Sequence, residues 1–292
     1  MNYPAFAYAP QEAWFWQPQG GSQVPLQSPY GAWNISSIGG SRFALPAFRG
    51  QNYETPYRAG QAWRAKFPDS RTLTLAMWID GQGSQLAEQY PSVNPLLAWN
   101  NNLQQLRAVL FTLNAQGSEQ GLLTRNWYLT QSGSNQLVTA SAAAELAGSM
   151  DLTMNGRLNA VASVDFLLAD PFFYGAQSTQ VATVSGASVV HLGDVAAGVG
   201  FPSAVAGFTV TCTAPCTVTN VTAGVSFTLA AGPVYPVTVD VLNGTVTDAD
   251  AGNQIGSLTH AGARTWMALL PGSNYVTTSA GTATFVFNPS YL

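Results

Sequence analysis

Charge is spread so unevenly along this chain that it predicts two separately built parts. Of its 10 basic and 14 acidic residues, nineteen precede Pro171 and five follow it: Asp194, Asp240, Asp248, Asp250 and Arg264. The change falls at residues 169–175, ADPFFYG. This seam closes an apolar strand-like run, 164–168, in which Val164, Phe166 and Leu168 share one face. Asp170 then precedes Pro171, a pairing that turns the backbone away from helix and toward an extended or turn geometry. The division expected is an N-terminal arm at 1–30, a β-rich domain with one helix at 31–170, and an all-β sandwich at 171–292.

Only 8% of residues are charged, against about 25% in an average soluble domain. A surface so poor in charge is expected to be covered by partners. The net charge of -4 and the single lysine, Lys66, speak against nucleic-acid binding, which depends on Lys and Arg neutralising phosphates. No run approaches the ~18 apolar residues of a spanning helix, so membrane insertion is not expected. The aromatic N-terminus lacks a basic leader region and is broken by Pro4, Pro10 and Pro18, so it reads as an extended arm or strand rather than a cleavable address.

In the first domain, residues 32–80 alternate short β-like runs with turn residues such as Gly39, Gly40, Gly50 and Gly60. The clearest strand is 71–79, with Leu73, Leu75 and Met77 on one face. Asn94 is placed to cap a helix carrying Pro95 in its first turn, where a missing N–H costs least. Leu96, Trp99, Leu103, Leu106, Leu110 and Leu113 recur at spacings of three and four, predicting one stripe buried against the sheet. In the second domain the runs 208–212, 225–229, 234–242 and 282–287 alternate in the same way, and Asn243-Gly244 is the strongest hairpin turn.

Residue patterns that carry chemistry are scarce. His191 and His260 stand in no metal-ligand spacing. Asp248, Asp250, Gly252 and Asn253 resemble an oxygen-rich calcium loop but lack its closing glutamate, and a solvated turn is the simpler reading. No phosphate loop, nucleophile elbow or Cys-His pattern is present, so no cofactor and no enzymatic activity are expected. Cys212 and Cys216 flank a three-residue loop between two strand-like runs. Pairing of those strands as a hairpin would bring the thiols together as a disulfide; otherwise both remain reduced.

A basic cluster, Arg42, Arg49, Arg58, Arg64, Lys66 and Arg71, is opposed locally by only Glu54 and Asp69. Two readings stand: edge charges that discourage strand pairing, or a subunit interface in which arginines pair with carboxylates and stack on Tyr53, Tyr57 and Trp63.

Two segments carry a family resemblance. They are 45–81, LPAFRGQNYETPYRAGQAWRAKFPDSRTLTLAMWIDG, and 266–287, WMALLPGSNYVTTSAGTATFVF, placed on either side of the helix and the DPFFYG seam. With the terminal pattern of Trp266, Leu269, Pro271, Gly272 and Asn274, the chain from about Trp33 onward resembles the distal tail proteins of long-tailed siphophages. The resemblance implies a structural virion protein of the tail tip, assembled in the host cytoplasm. Its N-terminal domains would form a homo-oligomeric, hexameric ring, with a galectin-like second domain projecting from it. The partners implied are the tail tube protein, the tail hub or tail-associated protein, and the tape measure protein.

A different class of function is a carbohydrate-binding module for host-surface glycans, with a sugar stacked on Trp266 or Tyr275. Core packing is the plainer role for both aromatics.

Overall fold

The computed structural model describes residues 12–27, 32–36, 40–41, 44–50, 53–54, 61–62, 67–81, 94–111, 120–131, 134–148, 150–155, 159–184, 186–192, 207–262 and 266–291. Over these the chain is mainly β with one α-helix. It divides into two compact units, the first of residues 1–127 and 141–172 and the second of residues 128–140 and 173–292.

The first unit contains β1 (Glu12–Pro18), β2 (Val24–Pro25), β3 (Trp33–Ile35), β4 (Phe48–Arg49), β5 (Tyr53–Glu54), β6 (Gln61–Ala62), β7 (Phe67–Pro68) and β8 (Arg71–Asp80). Helix α1 (Pro95–Leu110) follows, then β9 (Gln120–Gln131), β10 (Ser134–Leu146), β11 (Asp151–Met154) and β12 (Asn159–Leu168). The main sheet runs β2-β1-β9-β10-β12-β8-β3, with β11 also on β12. Strand alternation decides its buried face. On β12, Ala160, Ala162, Val164, Phe166 and Leu168 point inward, directly opposite Ile79, Met77, Leu75, Leu73 and Arg71 of β8. At one end of the ladder the small Ala160 and Ala162 face the larger Ile79 and Met77, and at the other Phe166 faces Leu73.

Helix α1 closes this face. Its start is fixed as the sequence predicts: the Asn94 side-chain oxygen accepts from the Leu96 N–H at 3.0 Å and Pro95 opens the first turn. Trp99, Leu103, Leu106 and Leu110 are buried, joined by Ala98 and Asn102. The Asn102 amide donates to the Asp80 carbonyl at 2.7 Å and ties the helix to the end of β8. The expected stripe is wrong at Leu96, which is 52% exposed together with Leu97 at 62%. Leu96 lies about 60° round the helix from Trp99, on the flank of the packed face. Leu113 lies outside the described residues. Leu106 is fully buried at mid-stripe, so Leu106→Ala is expected to cost about 2–5 kcal/mol. Gln105→Ala, on the exposed side, should leave the melting temperature unchanged. An equal response of the two variants in a thermal melt would contradict this packing.

Of the two readings of the N-terminal segment, arm or strand, its described part is a strand. Residues 12–18 form a strand inside the sheet, between β2 and β9 and paired with β9 along its whole length. Trp14 and Trp16 are 0% and 1% exposed, and Trp16 packs on Phe166 at 5.1 Å between ring centroids. Arg125 stacks over Trp14 and Trp127 and is paired with Glu12 at 2.6 Å. Gly121 permits the close approach of β9 to β1, because a Cβ there would overlap the Gln17 carbonyl and the Trp16 ring.

The second unit comprises the 128–140 portion of β9 and β10, with β13 (Phe173–Gly175), β14 (Ser178–Thr183), β15 (Ser188–Leu192), β16 (Phe208–Cys212), β17 (Cys216–Asn220) and β18 (Val225–Leu229). It continues through β19 (Val237–Asp240), β20 (Thr245–Thr247), β21 (Leu258–Gly262), β22 (Gly272–Thr278), β23 (Thr282–Phe287) and β24 (Ser290–Tyr291). Two antiparallel sheets, β14-β23-β16-β19-β20 and β15-β22-β17-β18-β21, enclose one core that includes Phe208, Val218, Phe227, Val239, Phe285 and Phe287. The Asn243-Gly244 turn joins β19 to β20 as expected, with Gly244 at φ 63° and both Asp240 oxygens accepting from Asn243. Of the expected run 234–242, only 237–240 is strand. In the seam, Phe173 is buried and pairs with Tyr291, so this stretch holds the chain's last strand.

The terminal pattern of Trp266, Leu269, Pro271, Gly272 and Asn274 has a physical reason. Asn274, fully buried, donates to the carbonyls of Leu270 (2.7 Å) and Gly272 (3.2 Å), and accepts from the Leu270 N–H and the Asn220 amide, each at 2.9 Å. Asn220 in turn donates to the Ala268 carbonyl at 2.8 Å. Leu269 is thereby pinned in the core, and Gly272 supplies the left-handed φ of 87° that the turn needs. Nothing in the spacing of the sequence pointed to Asn220, the last residue of β17, as a member of this network.

Candidate interaction surfaces

Of the basic cluster, Arg49 and Arg71 are described. Strand β4 pairs antiparallel with β7, placing Phe48 opposite Pro68 and Arg49 opposite Phe67; β5 pairs with β6, placing Tyr53 opposite Ala62. Arg49 is exposed, as are Leu45 at 74% and Phe48 at 60%. Arg42, Tyr57, Arg58, Trp63, Arg64 and Lys66 lie outside the described residues, and of Tyr53 only the backbone is described.

Arg71 separates from the cluster. It is 9% exposed and donates to the Ala44 carbonyl at 3.0 Å, anchoring the segment before β4 to the start of β8. Burial, and then the charge of Arg125, lower its pKa. Its role is in the framework, which basic spacing alone could not reveal.

On the opposite face of the main sheet, Gln17, Leu122, Ala143, Glu145, Leu167 and Ala169 help line a groove of about 520 Å³. Leu122 and Leu167 are 39% and 37% exposed there. The alternation that buries Leu123, Leu146 and Phe166 forces their neighbours outward, and this outward row sets the apolar Leu122 and Leu167 beside the charged Glu145.

Among the described residues of the sandwich, Asp240, Asp248 and His260 are engaged by local structure. Asp248 accepts from the Gly252 N–H and the Gln254 amide, both at 2.8 Å, and these contacts hold its pKa low. This is a closed turn rather than an open set of oxygen ligands. His191 sits on β15 opposite Ser273. His260 meets Trp266 edge-on at 4.6 Å, and burial lowers its pKa. Of the two aromatics considered for sugar stacking, Trp266 packs against the core, whereas Tyr275 is 52% exposed and lies opposite Val189.

Cys212 and Cys216 are both buried, free thiols. The hairpin that one of the two readings required does not form: β16 pairs with β19 and β23, β17 with β18 and β22, so Thr213, Ala214 and Pro215 cross between sheets. A three-residue loop looks the same in a hairpin as at such a corner, and only the long-range partners tell them apart.

No protein-family profile matches the sequence, and no characterised protein matches it significantly. Among solved structures, the chain is similar to the Dit protein of phage SPP1, described as a paradigm of the hub adsorption apparatus in phages infecting Gram-positive bacteria. That similarity has a TM-score of 0.52 at 11% identity and covers 96% of this chain and 99% of that one. Two structures of the phage P2 baseplate in its activated conformation, with Ca and with Sr, match at 9% identity with TM-scores of 0.32. They cover 96% and 94% of this chain, and 98% and 97% of theirs. The SPP1 similarity shows a shared fold; the P2 scores are too low to bear on it.

Proposed function

We propose that this chain is a distal tail protein, a structural component of the virion tail tip of a long-tailed siphophage. In this reading six copies close into a ring through the first unit, and the second unit is a galectin-like domain projecting from it. The ring joins the tail tube protein to the baseplate hub around the path of the tape measure protein, and assembly takes place in the host cytoplasm. The observation that carries the reading is the end-to-end fold similarity to SPP1 Dit, which spans both units rather than one common module. A low-charge surface with Leu45, Phe48, Leu96 and Leu97 exposed supports it physically, since oligomer contacts bury apolar area that a monomer would leave wet. The arginine and aromatic content of the sequence from β4 to β7 suits a subunit contact.

No enzymatic role is part of this proposal: Asp240 and Asp248 are spent on their own turns. Antibody raised against the chain should decorate the tail tip of particles that contain it. Labelling of the head, or absence of the chain from purified tails, would sink the proposal. The glycan-binding reading retains one favourable observation, the exposure of Tyr275. Glycan-array binding by the purified protein, lost in Tyr275→Ala, would establish it.

A further inference from the structure

Strand β16 ends on Cys212 in one sheet and β17 begins on Cys216 in the other, with only Thr213, Ala214 and Pro215 between them. Both side chains enter the same core, at 0% and 4% exposure. The thiols are neighbours there, each the leading influence on the other's acidity through a side-chain hydrogen bond. The bond from Cys212 favours the thiolate of Cys216 and holds its pKa below the ordinary thiol range, although burial opposes this. The same bond, reinforced by burial, holds Cys212 protonated. One sulfur is therefore the nucleophile and the other is a proton-bearing partner beside it. Thr213 and Pro215 are exposed, so the pair lies one layer beneath the surface, within reach of a small oxidant.

We propose that Cys212 and Cys216 form a reversible disulfide between the two sheets when the folded protein meets hydrogen peroxide. The Cys216 thiolate attacks one peroxide oxygen, the O–O bond breaks, and Cys216 becomes a sulfenic acid while hydroxide leaves and takes up the proton Cys216 had released. The Cys212 sulfur then attacks the Cys216 sulfur. The S–O bond breaks, and the departing hydroxyl leaves with the Cys212 proton as a second water. Two thiols and one peroxide thus yield one disulfide and two waters. The sulfurs must close to about 2.0 Å, by rotation of the two side chains and movement of the exposed turn between them. The bond would staple the sheets at one corner of the sandwich, and it does not depend on the role proposed above.

The test is intact mass and thiol alkylation of the folded, full-length protein before and after hydrogen peroxide. The expected product is a monomeric chain lighter by two hydrogens, with neither cysteine alkylated after unfolding and both restored by dithiothreitol. Its melting temperature should rise by about 3 °C or more. In Cys212→Ala the reaction should stop at the Cys216 sulfenic acid, trapped by dimedone. The wild-type mass decides the case even where that variant fails to fold. Two cysteines still open to alkylation, Cys216 carrying added oxygens beside a free Cys212, or disulfide-linked dimers would each overturn the proposal.

Discussion

Asn274→Leu should destabilise the sandwich by about 3–5 kcal/mol, a large share of the ~5–15 kcal/mol that holds a typical domain together. The substitution keeps the side chain's size but removes all its hydrogen bonding. The N–H and carbonyl of Leu270, the carbonyl of Gly272 and one amide contact of Asn220 lose their partner at a fully buried position. Buried polar groups left unmade cost about 1–3 kcal/mol each, and partial relaxation keeps the total below their sum. Asn274→Asp should be nearly as harmful, because a carboxylate cannot donate to two carbonyls. Tyr275→Ala, next along the strand and half exposed, should shift the urea midpoint far less. Similar midpoints for the Asn274 and Tyr275 variants would show that the network is not what secures this end of the sandwich.

Trp16→Ala is expected to cost about 3–5 kcal/mol, comparable to removing any large core aromatic. What makes it informative is its place in the chain. Trp16 comes from a segment that reads as a terminal arm, yet it packs on Phe166 and covers Gly121. Phe15→Ala, on the other face of β1 and half-buried, should cost clearly less. Chemical denaturation of the two variants separates the cases: an arm would make them alike and mild, a central strand makes Trp16 severe.

The parts of the fold legible in the sequence are those that local physics decides. Asn94-Pro95 starts a helix because a side-chain oxygen and a missing N–H solve the same end problem. Strands such as Arg71–Asp80 and Asn159–Leu168 declare themselves because one buried face imposes a period of two. What was hidden depends on partners distant in sequence. Residues 12–18 alternate as a strand should, but the prolines around them mask the pattern, and their position between β2 and β9 is fixed only by pairing. The corner at 213–215 reads as a hairpin until the partners of Cys212 and Cys216 are known, Ala283 and Val237 for one and Leu229 for the other.

The candidate surface was legible as composition and not as geometry. Arginines interleaved with aromatics mark a segment suited to contact, but spacing cannot separate Arg49, which is exposed, from Arg71, which is buried in the framework. The groove on the main sheet carried no motif. It arises because Leu122 and Leu167 occupy the outward positions of strands whose inward positions are apolar as well.

The mass of the purified full-length chain in solution, by native mass spectrometry at near-neutral pH, tests the account most directly. A closed assembly of six 30.8 kDa chains is expected, shifted toward the monomer when Arg49, Arg58 and Arg64 are together replaced by Glu, with the melting temperature of the isolated chain preserved. A wild-type protein that remains a 30.8 kDa monomer across the accessible concentrations would contradict it.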